Sequence, residues 1–163
     1  MASDSWYRVV RKDRKTREEV LTSKWGRFHD NEPTTYLADT LETAWREVTA
    51  ALGAAPANPA AFRGWLVTLA GAKLADLRDP KEQASHQITE AELLADPAPP
   101  QCKDVARKLR LAETGYHGVI YRSVRNQPDG VCVVAFLERA NDLITVEPLS
   151  SLEWRRFVRE ILG

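Results

Sequence analysis

The chain is short of the residues that announce the commonest chemistries. Only two of its 163 residues are cysteine, Cys102 and Cys132, and at 30 positions apart they form neither a CxxC pair nor a dense disulfide framework. Histidine is nearly as scarce. His29, His86 and His117 are widely spaced without a matching carboxylate pattern, so no metal centre is expected. There is no GxGxxG, no GxxxxGK[ST] and no GxSxG, which excludes both a phosphate-cradling loop and a hydrolase elbow as the organising motif. No apolar run approaches the roughly 20 residues of a membrane helix. The opening "MASDSWYRVV" lacks the apolar core of a secretory signal, so a cytoplasmic location away from membranes is expected.

Net charge is missing too. Lys plus Arg and Asp plus Glu both number 23, which gives no global support for direct nucleic-acid contact or for an anionic membrane. Any use of charge is local. The densest run, Arg8, Arg11, Lys12, Arg14, Lys15 and Arg17, closes on Glu18 and Glu19 and reads as a solvated loop.

What is present is enough to fold. With 44% hydrophobic and 28% charged residues, the chain carries material for one core, and residues 1–163 read as a single compact domain. "WYRVV" and "TTYLA" read as strands joined by the polar turn "HDNEP". Asp39 and Glu42 form a helix-start arrangement, and Gly53 is a stop. Between them Leu41, Ala44, Trp45, Val48 and Leu52 recur as a buried helical stripe. At 100° per residue Glu47 falls about 60° from Ala44, on the border of that stripe, where it can look into a cleft.

Further along, "GWLVTLA" and "KLADL" read as strands, with Asp79-Pro80 closing the segment. Thr89 and Glu92 cap a short helix through Leu94, and "ADPAPPQ" enforces an irregular loop. Lys103 to Glu113 has helical character, ended by Gly115. "GVIYRS" and "VCVVAFL" are the strongest strands, joined through Pro128, Asp129 and Gly130. Ser150 and Glu153 make a capping box before an apolar face of Trp154, Phe157, Val158, Ile161 and Leu162. The order predicts an α+β domain with mixed, mainly antiparallel sheets flanked by helices.

Two separated stretches carry a family likeness. "YRVV" followed by "GRFHDNEPTTYLADTLETAWREV" holds an arginine, then Gly-Arg-aromatic, then a tyrosine, then a glutamate on a helix. "GYHGVIYRSVR" holds a strand that follows a glycine and ends at a serine. Together they resemble the RES-domain family, many members of which are toxins of bacterial toxin–antitoxin pairs. On the matching positions Arg8, Arg27, Tyr36, Glu47 and Ser123 become candidate site residues with His29 beside them: the resemblance implies Glu47, Arg27 and Tyr36 as catalytic and Arg8, Arg27, Tyr36, Ser123 and His29 as substrate-binding. His29 replaces the family's usual asparagine, and the glycine expected before the tyrosine strand is absent from "DNEPTTY".

The resemblance implies a fold similar to ADP-ribosyltransferases and NAD as substrate, with no separate cofactor, cleaved between nicotinamide and ribose. It also implies a cognate antitoxin protein as partner. Arg27 and Arg8 suit pyrophosphate oxygens, since a guanidinium presents planar forks of N–H donors. Tyr36 suits packing against nicotinamide or its ribose. Glu47 can oppose the positive charge left on ribose as neutral nicotinamide departs. Ser123 is read as positioning, because no serine-histidine-acid constellation accompanies it. Water, phosphate or a macromolecule all stand open as acceptor, which leaves NAD degradation, ADP-ribosyl transfer and non-catalytic binding as competing readings.

Overall fold

The computed structural model describes residues 4–23, 25–29, 32–53 and 58–162. The first half runs β1 (Ser5–Arg11), α1 (Arg17–Leu21), β2 (Thr34–Ala38), α2 (Leu41–Ala51), β3 (Phe62–Leu69) and β4 (Leu74–Asp76). Three short helices follow: α3 (Pro80–Ser85), α4 (Glu90–Leu94) and α5 (Pro100–Leu109). The chain ends with β5 (Gly118–Arg122), β6 (Val131–Phe136), α6 (Leu137–Ala140), β7 (Ile144–Pro148) and α7 (Ser151–Phe157). Among the described residues no helix is long and apolar enough to cross a membrane.

The seven strands form one sheet in the order β4-β5-β6-β2-β1-β3-β7, antiparallel at every neighbour except the parallel pair β4 and β5. Its apolar centre follows from the twofold alternation of strand side chains. Along β6, Cys132, Val134 and Phe136 pack with Leu93 of α4 and with Val105 and Leu109 of α5. Val133 and Ala135 face the other way, onto Trp6, Leu37 and Val67. Burial on both faces is why "VCVVAF" is apolar throughout. A third group gathers Val9, Ala38, Phe62, the Ala44–Trp45 face of α2, and Trp154 and Phe157 of α7. The Trp45 ring meets Phe62 edge-on at 5.3 Å, which seats α2 over β1 and β3.

Several boundaries differ from the sequence reading, each for a local reason. Thr40, not Asp39, caps α2, its side-chain oxygen accepting from Thr43 N at 3.1 Å. Residue 39 is still tied to the sheet, its N–H donating to Val131 O. Glu42 pairs with Arg46 instead of closing a box. Leu52 lies past the last helical residue and is 41% exposed, so it leaves the buried stripe, and Gly53 turns the chain at φ +96°.

The basic run is not one loop. Its start lies in β1, and its end is α1, capped by Thr16 and held by buried Val20 and Leu21. Asp79 opens α3 through its bond from Lys81 N, and Pro100 starts α5 three residues earlier than expected. That helix stops at Leu109, before a tight turn over Ala112–Thr114. Leu137 opens α6 rather than extending β6. Strand β7 is an addition, paired with β3 from Trp65↔Pro148 to Leu69↔Ile144. The Thr89–Glu92 and Ser150–Glu153 capping boxes form as expected, although Ile161 is exposed. Asp30 and Asn31 of the expected polar turn lie outside the described residues.

The sheet is open at one place. β1 pairs with β3 along its length, from Ser5↔Thr68 to Arg11↔Phe62, but with β2 only at Tyr7↔Ala38. Beyond that pair the two strands part, and unpaired backbone in the gap needs other partners. This split positions the site.

Candidate active site

A cavity of about 720 Å³ occupies the split. Residues 7–11 of β1 and residues 36–38 of β2 form its sides, and Glu47, Val48 and Leu52 at the end of α2 close another. Gly26, Arg27, Tyr121 and Cys132 complete the inner wall. The volume suits a small-molecule ligand. Four of the six sequence-derived site residues, Arg8, Arg27, Tyr36 and Glu47, therefore share one hollow.

Glu47 is set by the serine behind it. Ser123 is fully buried just past β5, and its hydroxyl donates to Glu47 Oε1 at 2.5 Å. The same oxygen accepts from the backbone N–H groups of Arg125 and Asn126, each at 3.1 Å. A hydroxyl has one proton and two lone pairs. Both lone pairs are occupied, so the proton is directed at Glu47. This fits positioning and leaves Ser123 no free lone pair for nucleophilic attack. The turn is locked further by Asn126 Nδ2 donating to the buried Thr43 hydroxyl of α2 at 2.8 Å. Cys132 Sγ lies 3.8 Å from the same carboxylate oxygen, and burial foremost pushes its thiol pKa up, keeping it a weak donor. With Oε1 engaged from behind, Oε2 is the oxygen without such a tether among the described residues.

Ser123→Ala removes the donor to Glu47 and leaves two amides without their acceptor. An unmade buried hydrogen bond costs about 1–3 kcal/mol. At roughly 2–4 °C per kcal/mol for a domain of this size, the melting temperature should fall by about 5 °C. A variant melting within 1 °C of the unsubstituted protein would show that the turn does not depend on this hydroxyl.

Tyr36 serves the loop before β2. Its hydroxyl accepts from Phe28 N at 3.0 Å, while the Phe28 ring is fully buried and meets Tyr121 edge-on at 4.9 Å. Burial foremost raises the Tyr36 pKa, so the phenol stays protonated. Arg27, between Gly26 and that anchored phenylalanine, donates from Nη2 to Ala95 O at 2.6 Å, with Nη1 3.9 Å from Cys102 Sγ. Among the described residues three of its five N–H donors have no such bond.

Arg8 is more heavily committed. Its Nε donates to Val20 O at 2.6 Å, Nη1 to Tyr36 O at 2.9 Å and Nη2 to Ser23 Oγ at 2.9 Å. It ties α1 and β2 across the open ladder, and among the described residues two of its donors have no partner. Burial, then the charge of Arg14, lower its pKa to about 10. His29 stands outside the cavity wall; its Nδ1 lies 3.2 Å from Thr34 Oγ1 and its backbone N–H closes a turn onto Gly26 O.

Other wall residues carried no sequence signal. Trp25 is 62% exposed on the rim. Arg125 and Asp96, 2.7 Å apart, pair across the wall from segments that only the fold brings together.

A family model described as "RES domain" matches residues 5–156. A search of curated proteins found no match. Among solved structures, a chain from the crystal structure of the M. tuberculosis MbcT–MbcA toxin–antitoxin complex is similar. It has a TM-score of 0.67 and 19% identity, over 95% of this chain and 88% of that one. At that identity the structural likeness speaks for the fold, and it agrees with the family match. The chain belongs to the RES-domain family, and its seven-stranded, mainly antiparallel sheet with flanking helices is the fold it shares with that solved chain.

Proposed function

We propose that this chain is the toxin of a toxin–antitoxin pair and that it consumes NAD by breaking the nicotinamide–ribose bond. The observation that carries the reading is the Glu47 carboxylate, fixed by Ser123 at 2.5 Å, on the wall of an arginine-lined cavity. In the reaction the electron pair of the glycosidic bond leaves with nicotinamide, which becomes neutral, and positive charge develops on the ribose. Glu47 opposes that charge. At about 4 Å and an effective dielectric near 20 the attraction is of order 4 kcal/mol, a substantial part of a catalytic effect but not all of it. Arg27 and the two unspent donors of Arg8 face the pyrophosphate, and Tyr36 packs beside the nicotinamide ribose. Water or hydrogen phosphate then bonds through oxygen to the ribose carbon and releases a proton to solvent, giving ADP-ribose or its phosphorylated form.

Incubation of the pure protein with NAD, with and without phosphate, tests this by chromatography of released nicotinamide. Release is expected, and product mass identifies the acceptor; no release under either condition would remove the reading. Adenine label recovered on protein or nucleic acid would replace degradation by ADP-ribosyl transfer. Saturable NAD binding without turnover would leave a binding module.

The partner proposed is a cognate antitoxin protein that covers the cavity mouth, where Trp25 and Leu52 expose apolar surface. The similar solved chain comes from a toxin–antitoxin complex. Co-expression with the neighbouring small reading frame should restore growth and yield a co-purifying complex; failure of both would remove the pairing.

A further inference from the structure

The anion end of the cavity has more positive charge than the resemblance accounts for. Arg14 lines the same hollow as Arg8, brought back over it by a turn in which Arg14 N donates to Arg11 O at 3.1 Å. Among the described residues its guanidinium has a single long bond, Nη1 to Glu19 O at 3.4 Å. The Glu19 carboxylate, on the same wall, is turned to Lys15 N at 3.1 Å. Among the described residues neither Arg8 nor Arg14 forms an ion pair with a carboxylate. Arg11 differs, being exposed with its guanidinium over the Phe62 ring at 5.7 Å.

Two guanidinium groups on one wall, neither ion-paired with a carboxylate among the described residues, repel each other. Burial and the charge of Arg14 both pull the Arg8 pKa down, as expected when a like charge is held nearby in a desolvated place. A ligand with two adjacent negative charges relieves that repulsion. Arg8 has spent three donors on the fold and Arg14 only one, so Arg14 is the better supplied of the two.

We propose that Arg14 is a substrate-binding residue that supplies, beside Arg8, the second guanidinium of a pyrophosphate subsite. The proposal rests on the NAD reading above and adds to it a residue outside the resembling motif positions.

The test uses the full chain with Arg14→Ala, Arg14→Lys and, as a control on an exposed helix face, Arg156→Ala. NAD turnover and calorimetric binding of ADP are measured at low and high salt, after thermal melting shows each variant folded. Arg14→Ala should raise KM about tenfold with kcat within twofold, weaken ADP binding to match and flatten the salt dependence. Arg14→Lys should recover part of the affinity, since it keeps charge without the fork, and Arg156→Ala should change nothing. If the unsubstituted protein consumes NAD but Arg14→Ala keeps KM and ADP affinity within twofold, the Arg14 assignment is overturned and the NAD reading survives. If the protein binds ADP through Arg14 without consuming NAD, the subsite survives and the reaction does not. If it neither binds ADP nor cleaves NAD, both fall.

Discussion

Glu47→Gln should lower kcat for NAD cleavage by about two powers of ten while KM moves by less than about threefold. The substitution keeps shape and removes charge. Loss of roughly 3 kcal/mol of transition-state stabilisation corresponds to that change in rate, and a group acting only as the bond breaks affects kcat more than binding. The surroundings make this variant unusually clean. Because the Ser123 hydroxyl accepts from Arg125 N and Asn126 N, its proton is committed to position 47, and a glutamine carbonyl oxygen accepts it as a carboxylate does. The turn should therefore persist, and the variant should melt within about 2 °C of the unsubstituted protein. Steady-state kinetics of nicotinamide release decide the matter. A folded Glu47→Gln protein with an unchanged rate would show that this carboxylate is not the electrostatic centre.

The sequence exposed the components of this site more readily than their division of labour. Periodicity alone puts Glu47 on a helix border, and it does line the cavity, because α2 packs its Ala44–Trp45 face inward and leaves residue 47 beside it. Strand β2 matched "TTYLA" because alternation and turn residues agreed there. What could not be read was the parting of β1 from β2. It is a tertiary feature, set by which strands pair beyond Tyr7↔Ala38, and no local propensity encodes it. From sequence Arg8 reads only as a ligand fork, whereas much of its guanidinium serves backbone carbonyls across that gap. Helix α1 was obscured by its own charge: its apolar content is the pair Val20 and Leu21, too short for a periodic signal. Strand β7 lies at the sheet edge with most of its residues exposed or half-buried, so its alternation is faint.

Gly26→Ala should lower the melting temperature by about 10 °C and NAD turnover, as kcat/KM, by more than a hundredfold. Two independent costs meet at this residue. Its backbone lies at φ +131°, where a side chain brings strain of about 1–3 kcal/mol. A β-carbon there would also fall 2.3 Å from Tyr36 Cζ and 2.4 Å from its hydroxyl, far inside contact distance. Forcing bulk into a packed place costs about 1–3 kcal/mol more. The ring cannot withdraw without losing the Phe28 N–H to its hydroxyl, and Phe28 is the buried anchor that holds Arg27 at the cavity. Displacement by an ångström is enough to spoil a reacting geometry, so binding and turnover should fail together. The two costs separate in a Tyr36→Ala background. There the collision is gone and only backbone strain remains, so adding Gly26→Ala should cost about 2 kcal/mol by denaturant unfolding rather than about 4. Equal costs in the two backgrounds would show that the tyrosine ring is not what requires glycine at position 26, and the link from Gly26 through Tyr36 to Arg27 would be broken.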